Sequence, residues 1–249
     1  MNEKAVGLIL REQDYKDNSV ILTVLFREYG KLSLIAQGAR KMSSKNRGNI
    51  LPYTKGEFLF DYREGKTMFR LKTAHTTELF RFLHENLNAG LACAVLAEVV
   101  DAFLPEGADP ELSEHLFDLF EQSCTAWNAQ HPADLVLAAA LSDILYTQGI
   151  GPEVDACVLC GSQSAAAISV RDGGFLCGNC AAAHSVPRRE ISQLRAFRLV
   201  NKAKLSDLPI LEKTVSSAFE ECAILIDFIR THAGLPVRSF ALFQRMYSV

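Results

Sequence analysis

Four of the seven cysteines in this 249-residue chain fall in one stretch, CVLCGSQSAAAISVRDGGFLCGNC, which runs from Cys157 to Cys180. They form two C-x-x-C pairs that are separated by sixteen residues. Thiolates are soft ligands that suit Zn²⁺, and four of them complete a tetrahedral shell with Zn–S distances of ~2.3 Å. The spacing lies within the range expected for structural zinc. We therefore predict one zinc ion per chain, bound by Cys157, Cys160, Cys177 and Cys180.

The residues around the two pairs favour this geometry. Gly161 follows the first pair and Gly178 lies inside the second, where each permits a tight backbone turn. The intervening AAAISV-RDGG-FLC is typical of a β-hairpin, which would bring the pairs together. Because four thiolates leave no open position for water, we expect the metal to be structural, not catalytic. It would replace a core that a module of about 30 residues cannot build alone.

Other uses of the cysteines are less favoured by the sequence. A thioredoxin-like redox role requires a C-x-x-C near a βαβ unit, which we do not find. His184 lies four residues after Cys180 and could replace a ligand, but with four thiolates available we expect it not to bind the metal. Cys93, Cys124 and Cys222 fall in predicted helices and are expected to be buried.

The elements that must position this module begin with strands in residues 4–75. Apolar and β-branched runs predict five of them, at KAVGLILRE, NSVILTVLF, KLSLIAQG, GEFLFDYRE and KTMFRLKTA. We predict hairpin turns at Glu28-Tyr29-Gly30-Lys31 and at Glu64-Gly65-Lys66. The segment ARKMSSKNRGN interrupts the strands after the third. Five short strands with an insertion there suit a small closed barrel such as an OB-fold.

From Thr76 onward, apolar residues recur at helical spacing. Helical stretches are predicted at TTELFRFLHENLNAGLACAVLAEVVDAFL, which Pro105-Glu106-Gly107 ends, and at ELSEHLFDLFEQSCTAWNA, with acidic residues on the solvent side. A third, PADLVLAAALSDILYTQG, begins after Pro132 and ends before Gly149. ISQLRAFRLVNKA and KTVSSAFEECAILIDFIRTHAG follow the cysteine segment. The sequence thus predicts an α+β fold, in which a five-stranded OB-fold barrel precedes an α-helical domain with an inserted four-cysteine zinc module.

Charge is distributed unevenly along the chain. Residues 1–72 carry 14 Lys and Arg against 8 Asp and Glu, residues 73–187 carry 2 against 15, and residues 188–249 carry 10 against 6. Such asymmetry indicates polyanion binding, although charge often serves only to solvate a surface. Here the basic residues coincide with a fold that often binds single strands, so we predict nucleic-acid binding. The candidate contacts are Arg27, Lys31, Arg40, Lys41, Lys45, Arg47, Lys66 and Arg70.

Aromatic residues of the barrel could add stacking faces for bases. Tyr53 and Phe58 are the candidates, but the period-2 pattern around them makes burial in the core at least as favoured.

Several enzyme classes are disfavoured. Gly65-Lys66-Thr67 resembles the end of a P-loop, but Phe60 stands where the motif needs a glycine, and a strand follows. We find no G-x-G-x-x-G after a strand, no H-x-E partner of a zinc deaminase and no G-x-S-x-G nucleophile elbow. We therefore predict that the protein is not an enzyme. No apolar run approaches the ~18 residues of a membrane span, and signal-peptide features are missing, so we expect a cytoplasmic protein.

With these residues in view, the chain resembles the RecO family of bacterial recombination mediators. AVGLILREQDYKDNSVILTVLFREYGKLSLIAQGARKMSSK is similar to the family's first three strands and the basic segment after them. LPYTKGEFLF resembles the start of the fourth strand, and the four cysteines stand where zinc-bearing members have theirs. GLPVRSFALF, with Arg238 and Ser239, is similar to the closing segment. The order and spacing of these loose motifs make the resemblance specific over essentially the whole chain.

The resemblance implies an OB-fold at 1–76, a helical domain at 77–152 and 186–249, and a zinc module at 153–185. It implies binding of single- and double-stranded DNA, annealing of complementary strands, and a nucleoid-associated location in the cytoplasm. It further implies partnership with RecR, with which members help to load RecA onto single strands coated by single-strand-binding protein (SSB).

Family members also bind the acidic, Phe-ended C-terminal tail of SSB, which needs a cationic rim beside an apolar groove. The candidate rim residues are Arg188, Arg189, Arg195, Arg198, Lys202 and Lys204. The main alternative function is a zinc-stabilised protein–protein adaptor that does not bind DNA. A zinc-dependent enzyme with an unrecognised site is the other.

Overall fold

The barrel predicted from the period-2 pattern is present. The computed structural model describes residues 2–63, 65–66, 68–105 and 107–247. The five barrel strands are β1 (Asn2–Tyr15), β2 (Ser19–Phe26), β3 (Gly30–Ala36), β4 (Lys55–Asp61) and β5 (Met68–Glu78). They close in the order β1-β2-β3-β5-β4, with β3 and β5 parallel and the other neighbours antiparallel. This order is that of an OB-fold, so the predicted α+β class and barrel are confirmed.

Alternation along the strands builds the barrel core. On β4 every second residue is buried, and Phe58 and Phe60 meet Phe26 of β2 inside the barrel, with ring centroids 5.8 and 5.3 Å from it. Phe58 is therefore a core residue and not a stacking face. Burial also raises the pKa of Tyr53 to about 12, which indicates a phenol withdrawn from solvent. The β2–β3 hairpin forms as predicted, whereas the predicted Glu64-Gly65-Lys66 turn includes Glu64, which lies outside the described residues.

The chain divides into two compact units, Met1–Asn128 and Ala129–Val249, and the first also contains three helices. They are α1 (Arg81–Glu85), α2 (Leu87–Phe103) and α3 (Pro110–Asn128). The prediction of one helical stretch from Thr76 is wrong, because β5 continues to Glu78 and the helix is broken at Asn86. The Asn86 side chain accepts a hydrogen bond from the Ala89 amide at 3.0 Å, an N-cap that starts α2.

The second unit consists mainly of helices. They are α4 (Ala133–Thr147), α5 (Gly178–Ala183), α6 (Ile191–Lys202), α7 (Leu208–Thr214), α8 (Phe219–Phe228, continued by a π-helical turn at Ile229–Ala233) and α9 (Phe240–Tyr247). A two-stranded sheet, β6 (Ala167–Ser169) and β7 (Gly174–Leu176), lies between α4 and α5. The predicted single helix over KTVSSAFEECAILIDFIRTHAG is wrong, since α7 ends at Thr214 and α8 begins at Phe219.

The three cysteines outside the two C-x-x-C pairs lie in the interior of the protein. Cys93, Cys124 and Cys222 are fully buried as predicted, and the Sγ atoms of Cys93 and Cys124 lie 4.0 Å apart between α2 and α3. Over the described ranges, no helix combines the length and the apolar character required to cross a bilayer. The domain boundaries suggested by the sequence stay a prediction.

A buried acid in the first turn of α8 gives the second unit a pH-dependent stability. Glu221 is 4% exposed, and this desolvation raises its pKa to about 7. The nearby charges of Glu220 and Asp134 raise the pKa slightly further, and that of Arg189 acts against them. The unfolded chain releases this proton near pH 4.5, but the folded chain retains it up to about pH 7. The free energy of unfolding therefore falls as the pH rises through this window.

Glu221→Gln is expected to remove that dependence. Between pH 5 and pH 8 the variant should gain about 2 kcal/mol relative to the wild type, because each pKa unit corresponds to about 1.4 kcal/mol. Urea unfolding of both proteins at the two pH values measures the difference. A difference that stays constant with pH would contradict a raised pKa at this site.

Candidate metal centre and nucleic-acid interface

The four cysteines of the two C-x-x-C pairs meet at one point of the second unit. Their Sγ atoms all lie within 4.8 Å of one another, and those of Cys160 and Cys177 are 3.6 Å apart. Four sulfurs at ~2.3 Å from a tetrahedral zinc would be about 3.8 Å from one another. The arrangement fits a structural metal ion held by the predicted ligands Cys157, Cys160, Cys177 and Cys180.

Local backbone geometry explains how this cluster forms. After the first pair, Gly161 has φ +73°, and its amide donates to the Cys157 carbonyl at 2.8 Å, which closes a tight turn. The predicted hairpin between the pairs is β6 and β7. Gly174 in this hairpin has no room for a side chain, since a Cβ would lie 2.3 Å from the Glu153 carbonyl oxygen. The hairpin therefore carries the second pair back to the first.

Gly178 does not have the role predicted for it. It begins α5 and is absent from the glycines with positive φ, so it does not supply a left-handed turn. A Cβ on Gly178 would instead lie 2.9 Å from the guanidinium of Arg188. Because that is the far end of a flexible side chain, small residues should be tolerated here.

The four thiols differ in their surroundings: the pKa is lowered for Cys157 and Cys177 and raised for Cys160 and Cys180, the last chiefly through its contact with Cys177. Burial acts to raise the pKa of Cys157, but backbone N–H groups of Cys177, Leu159 and Cys160 outweigh it and lower that pKa. The Cys177 pKa is also lowered, chiefly by the backbone of Cys180. His184 is not a member of the cluster found among the described residues, and its Nδ1 lies 3.4 Å from Asp172 Oδ1.

Several cations predicted to contact DNA are held by carboxylates of the chain itself. Arg27 pairs with Asp118 of α3 and lies 3.3 Å from Glu114 and 3.8 Å from Glu121 on the same helix. Lys31 is mostly buried and pairs with Asp101 of α2 at 2.8 Å. Several acidic side chains of α3 thus contact Arg27 and do not serve only to face solvent. The positive charges of Arg27 and Lys31 are neutralised by these carboxylates and by Asp101. DNA contact by Arg27 and Lys31 stays a prediction.

The other candidates for DNA contact differ in whether they pair with a carboxylate. Arg40 pairs with Asp14 and lies 3.6 Å from Glu12, whereas Arg47 donates to the sulfur of Met42. Five candidates are exposed and form no ion pair within the part of the chain that the structure describes: Lys41, Lys45, Arg47, Lys66 and Arg70.

Most of these free cations lie on or beside one well-anchored piece of backbone, the connecting segment 37–54 between β3 and β4. The parallel ladder of β3 and β5 covers only Ser33–Ile35 and Met68–Arg70. Beyond it, Asn46 bonds both the Lys72 carbonyl (3.2 Å) and the Ala74 amide (3.1 Å), and Asn49 accepts from the Thr76 amide at 3.0 Å. Lys45 and Arg47 are therefore held beside β5, the strand that also carries Arg70.

The core side of the connecting segment is equally well anchored. Ala39 and Ile50 are buried in the barrel core. Between them the backbone turns outward, which leaves Lys41, Met42 and Lys45 exposed. The segment that interrupts the strands after the third is thus part of the barrel wall and presents its cations in a defined arrangement.

The predicted SSB-tail rim lies on and around α6 in the second unit. Arg198 and Lys202 pair with Asp155 at 2.8 and 2.6 Å, and Arg189 pairs with Glu220. Arg188, Arg195 and Lys204 are exposed. Arg195 lies one helical turn from each of two exposed apolar residues, Ile191 and Leu199.

The sequence analysis did not identify the exposed apolar residues on α6. Ile191 and Leu199 could have been found, because they lie four residues before and four residues after Arg195. The carboxylates that neutralise Arg27 and Lys31 gave no such signal, because they lie 70 or more residues away along the chain.

Comparison with known proteins agrees with this architecture. The family model for the recombination protein O N terminal region matches residues 1–80, and that for the C terminal region matches residues 84–241. "DNA repair protein RecO" of Bacillus pumilus is 29% identical over 249 residues, which cover 99% of this chain and 95% of that protein. The protein of the same name from Bacillus subtilis is 28% identical, over 100% and 96% of the two chains. That of Exiguobacterium sibiricum is 31% identical, over 71% and 70%. The chain therefore belongs to the recombination protein O (RecO) family, and this membership supports a role in DNA repair and recombination.

Proposed function

We propose that this protein is a recombination mediator that binds single- and double-stranded DNA, anneals complementary strands, and acts with RecR to load RecA onto SSB-coated single strands, without catalysing a reaction itself. The single observation that carries DNA binding is the connecting segment. Its cations Lys41 and Lys45 are exposed and unpaired among the described residues, with Arg47 and Arg70 beside them, while other barrel cations are neutralised by α2 and α3.

The physical basis of the proposal is electrostatic. Lys and Arg that have no carboxylate partner are available to neutralise phosphates and to release the counterions condensed on DNA. Annealing requires two like-charged strands to approach each other, and a cationic surface between them screens their repulsion. Because the segment is anchored by Asn46 and Asn49, little conformational entropy is lost when its cations take up a strand.

The triple variant Lys41→Ala/Lys45→Ala/Arg47→Ala tests this interface. Three lost phosphate contacts should lower the slope of log affinity against log salt by about 2 for a single strand, and weaken binding about 10- to 100-fold at low salt. Fluorescence anisotropy of a labelled oligonucleotide, titrated over salt concentration, measures both quantities.

A matched control removes the same charge from cations that are already paired. Lys4, Lys72 and Arg81 lie 2.9, 3.0 and 2.8 Å from Glu57, Asp61 and Glu85, so their triple alanine variant should bind almost as the wild type does. Equal effects of the two triple variants would show that net charge, not the connecting segment, is responsible. Absence of oligonucleotide binding by the wild type would favour the adaptor function.

Two further assignments belong to the proposal. The metal at the four cysteines is zinc, one per chain, and when bound it cross-links the two C-x-x-C turns and supplies no chemistry beyond that. The SSB tail docks on α6, where Arg188 and Arg195 supply positive charge and Ile191 and Leu199 supply exposed apolar surface. An acidic peptide that ends in phenylalanine matches both features.

A further inference from the structure

A pocket of about 370 Å³ lies against the connecting segment, on the side of the β1–β2 hairpin. It is lined by Glu12, Ala39, Arg40, Arg47, Ile50 and Leu51. Its floor is apolar, because Ala39 and Ile50 are also part of the barrel core. The lining also includes the guanidiniums of Arg40 and Arg47 and the carboxylate of Glu12.

The rim of this pocket carries exposed apolar side chains in a cationic setting. Leu51 lines it and is 45% exposed. Met42 is 87% exposed, and its sulfur accepts a hydrogen bond from Arg47, which places it beside the pocket. Lys41 and Lys45 flank Met42 along the chain and are themselves exposed. Met42 and Leu51 thus add exposed apolar surface to a cationic rim, a combination that suits a ligand with both charge and apolar surface.

The walls match the edges of a nucleobase. Arg40 is held by Asp14 and Glu12, so its guanidinium plane is fixed in orientation. Guanidinium planes and thioethers pack against π-faces, while the N–H groups of arginine donate to ring nitrogens and carbonyls. Glu12 offers an acceptor to a ring N–H group such as N3–H of thymine. An acidic peptide fits less well, because Glu12 and Asp14 would repel its carboxylates.

We propose that this pocket receives an unstacked base of a single strand whose phosphates lie on Lys41 and Lys45. The inference rests on the proposed DNA binding and adds to it a site that reads bases rather than phosphates. A base inside a duplex is stacked and paired, and it is not available to the pocket. The pocket therefore gives the barrel a preference for single strands that the phosphate contacts alone do not provide.

The test compares an oligothymidine with an abasic oligonucleotide of the same length and backbone charge. The wild type should bind the thymidine strand about 10-fold more tightly, and Met42→Ala/Leu51→Ala should reduce this ratio to about 2 or less. The salt slope and the affinity for the abasic strand should not change in the variant. Val6→Ala/Leu79→Ala, which truncates two exposed apolar residues elsewhere in the first unit, is the matched control and should keep the wild-type ratio.

The possible results separate the two claims. If the wild type binds both strands equally, or if the double variant keeps the wild-type ratio, the pocket proposal is overturned while DNA binding stands. If the wild type binds neither strand, the proposed function fails as well. Should Leu51→Ala loosen the connecting segment, Met42→Ala alone decides, because that side chain is almost wholly in solvent. Competition by an acidic peptide that Met42→Ala abolishes would assign the pocket to a protein and overturn the proposal.

Discussion

Replacing Cys157 with serine is expected to leave the purified protein without bound metal and to lower its melting temperature by about 10 °C. Structural zinc contributes folding free energy directly, about 10–16 kcal/mol in isolated zinc-finger peptides. In this larger unit we expect a loss of roughly 3–5 kcal/mol, at about 2–4 °C for each kcal/mol. The cause is that β6 and β7 have only three residues each, so the hairpin between the pairs has little core of its own.

Elemental analysis and calorimetry check this expectation. The wild type should contain about one zinc per chain, and Cys124→Ala, which truncates a buried cysteine that is no ligand, should keep it. Oligonucleotide affinity of Cys157→Ser should stay within a factor of about 2, because the proposed DNA contacts belong to the first unit. A loss of affinity larger than the loss of stability would instead place the metal at the DNA-binding face.

Asp134→Ala is expected to reduce the free energy of unfolding of the second unit by about 2 kcal/mol. Asp134 lies in the first turn of α4 and is 5% exposed. Its Oδ2 accepts from the Ser217 hydroxyl at 2.6 Å and from the Ala218 amide at 2.9 Å. Both donors precede α8, so one carboxylate joins two helices that are more than 80 residues apart in sequence. Alanine would leave the amide of the buried Ala218 unpaired, at about 1–3 kcal/mol, whereas the hydroxyl of the exposed Ser217 can bond to water instead.

Urea unfolding of Asp134→Ala and Asp134→Asn separates the hydrogen bonds from the charge. Asparagine retains one acceptor oxygen in the same place, so its loss should be about half as large. Removing the charge at Asp134 should also lower the pKa of Glu221, which that charge helps to raise. Equal destabilisation by the two substitutions would mean that charge, and not the acceptor, holds the segment before α8.

Features set by local periodicity could be predicted from the sequence, and those set by distant partners could not. Alternation along β2 to β4 and the spacing of the two C-x-x-C pairs are local, and the barrel and the sulfur cluster follow from them. The break at Asn86 was also local, but an asparagine N-cap was overlooked inside a long apolar pattern. Likewise, the sequence did not show that Gly178 lacks the positive φ for which a turn needs glycine, because φ at a glycine is set by the surrounding fold.

The predicted nucleic-acid contacts also depend on partners that are distant in the sequence. Counting charges placed Arg27 and Lys31 together with Lys41 and Lys45, since all four lie in the basic first part of the chain. Their separation into paired and unpaired cations depends on α2 and α3, which return to the barrel through packing that no local pattern encodes. Sequence thus predicted a cationic barrel, but only the folded structure shows which of its described cations are paired with carboxylates.

The two asparagines that bond β5 have a thermodynamic consequence. Asn46 and Asn49 make the connecting segment part of the seam by which the barrel closes. A ligand that binds the cations beside this seam only when the barrel is folded would add about 2.7 kcal/mol to the folded state at 100 times its Kd. DNA bound by these cations would therefore stabilise the closed barrel. Separation of the connecting segment from β5 would in turn weaken DNA binding.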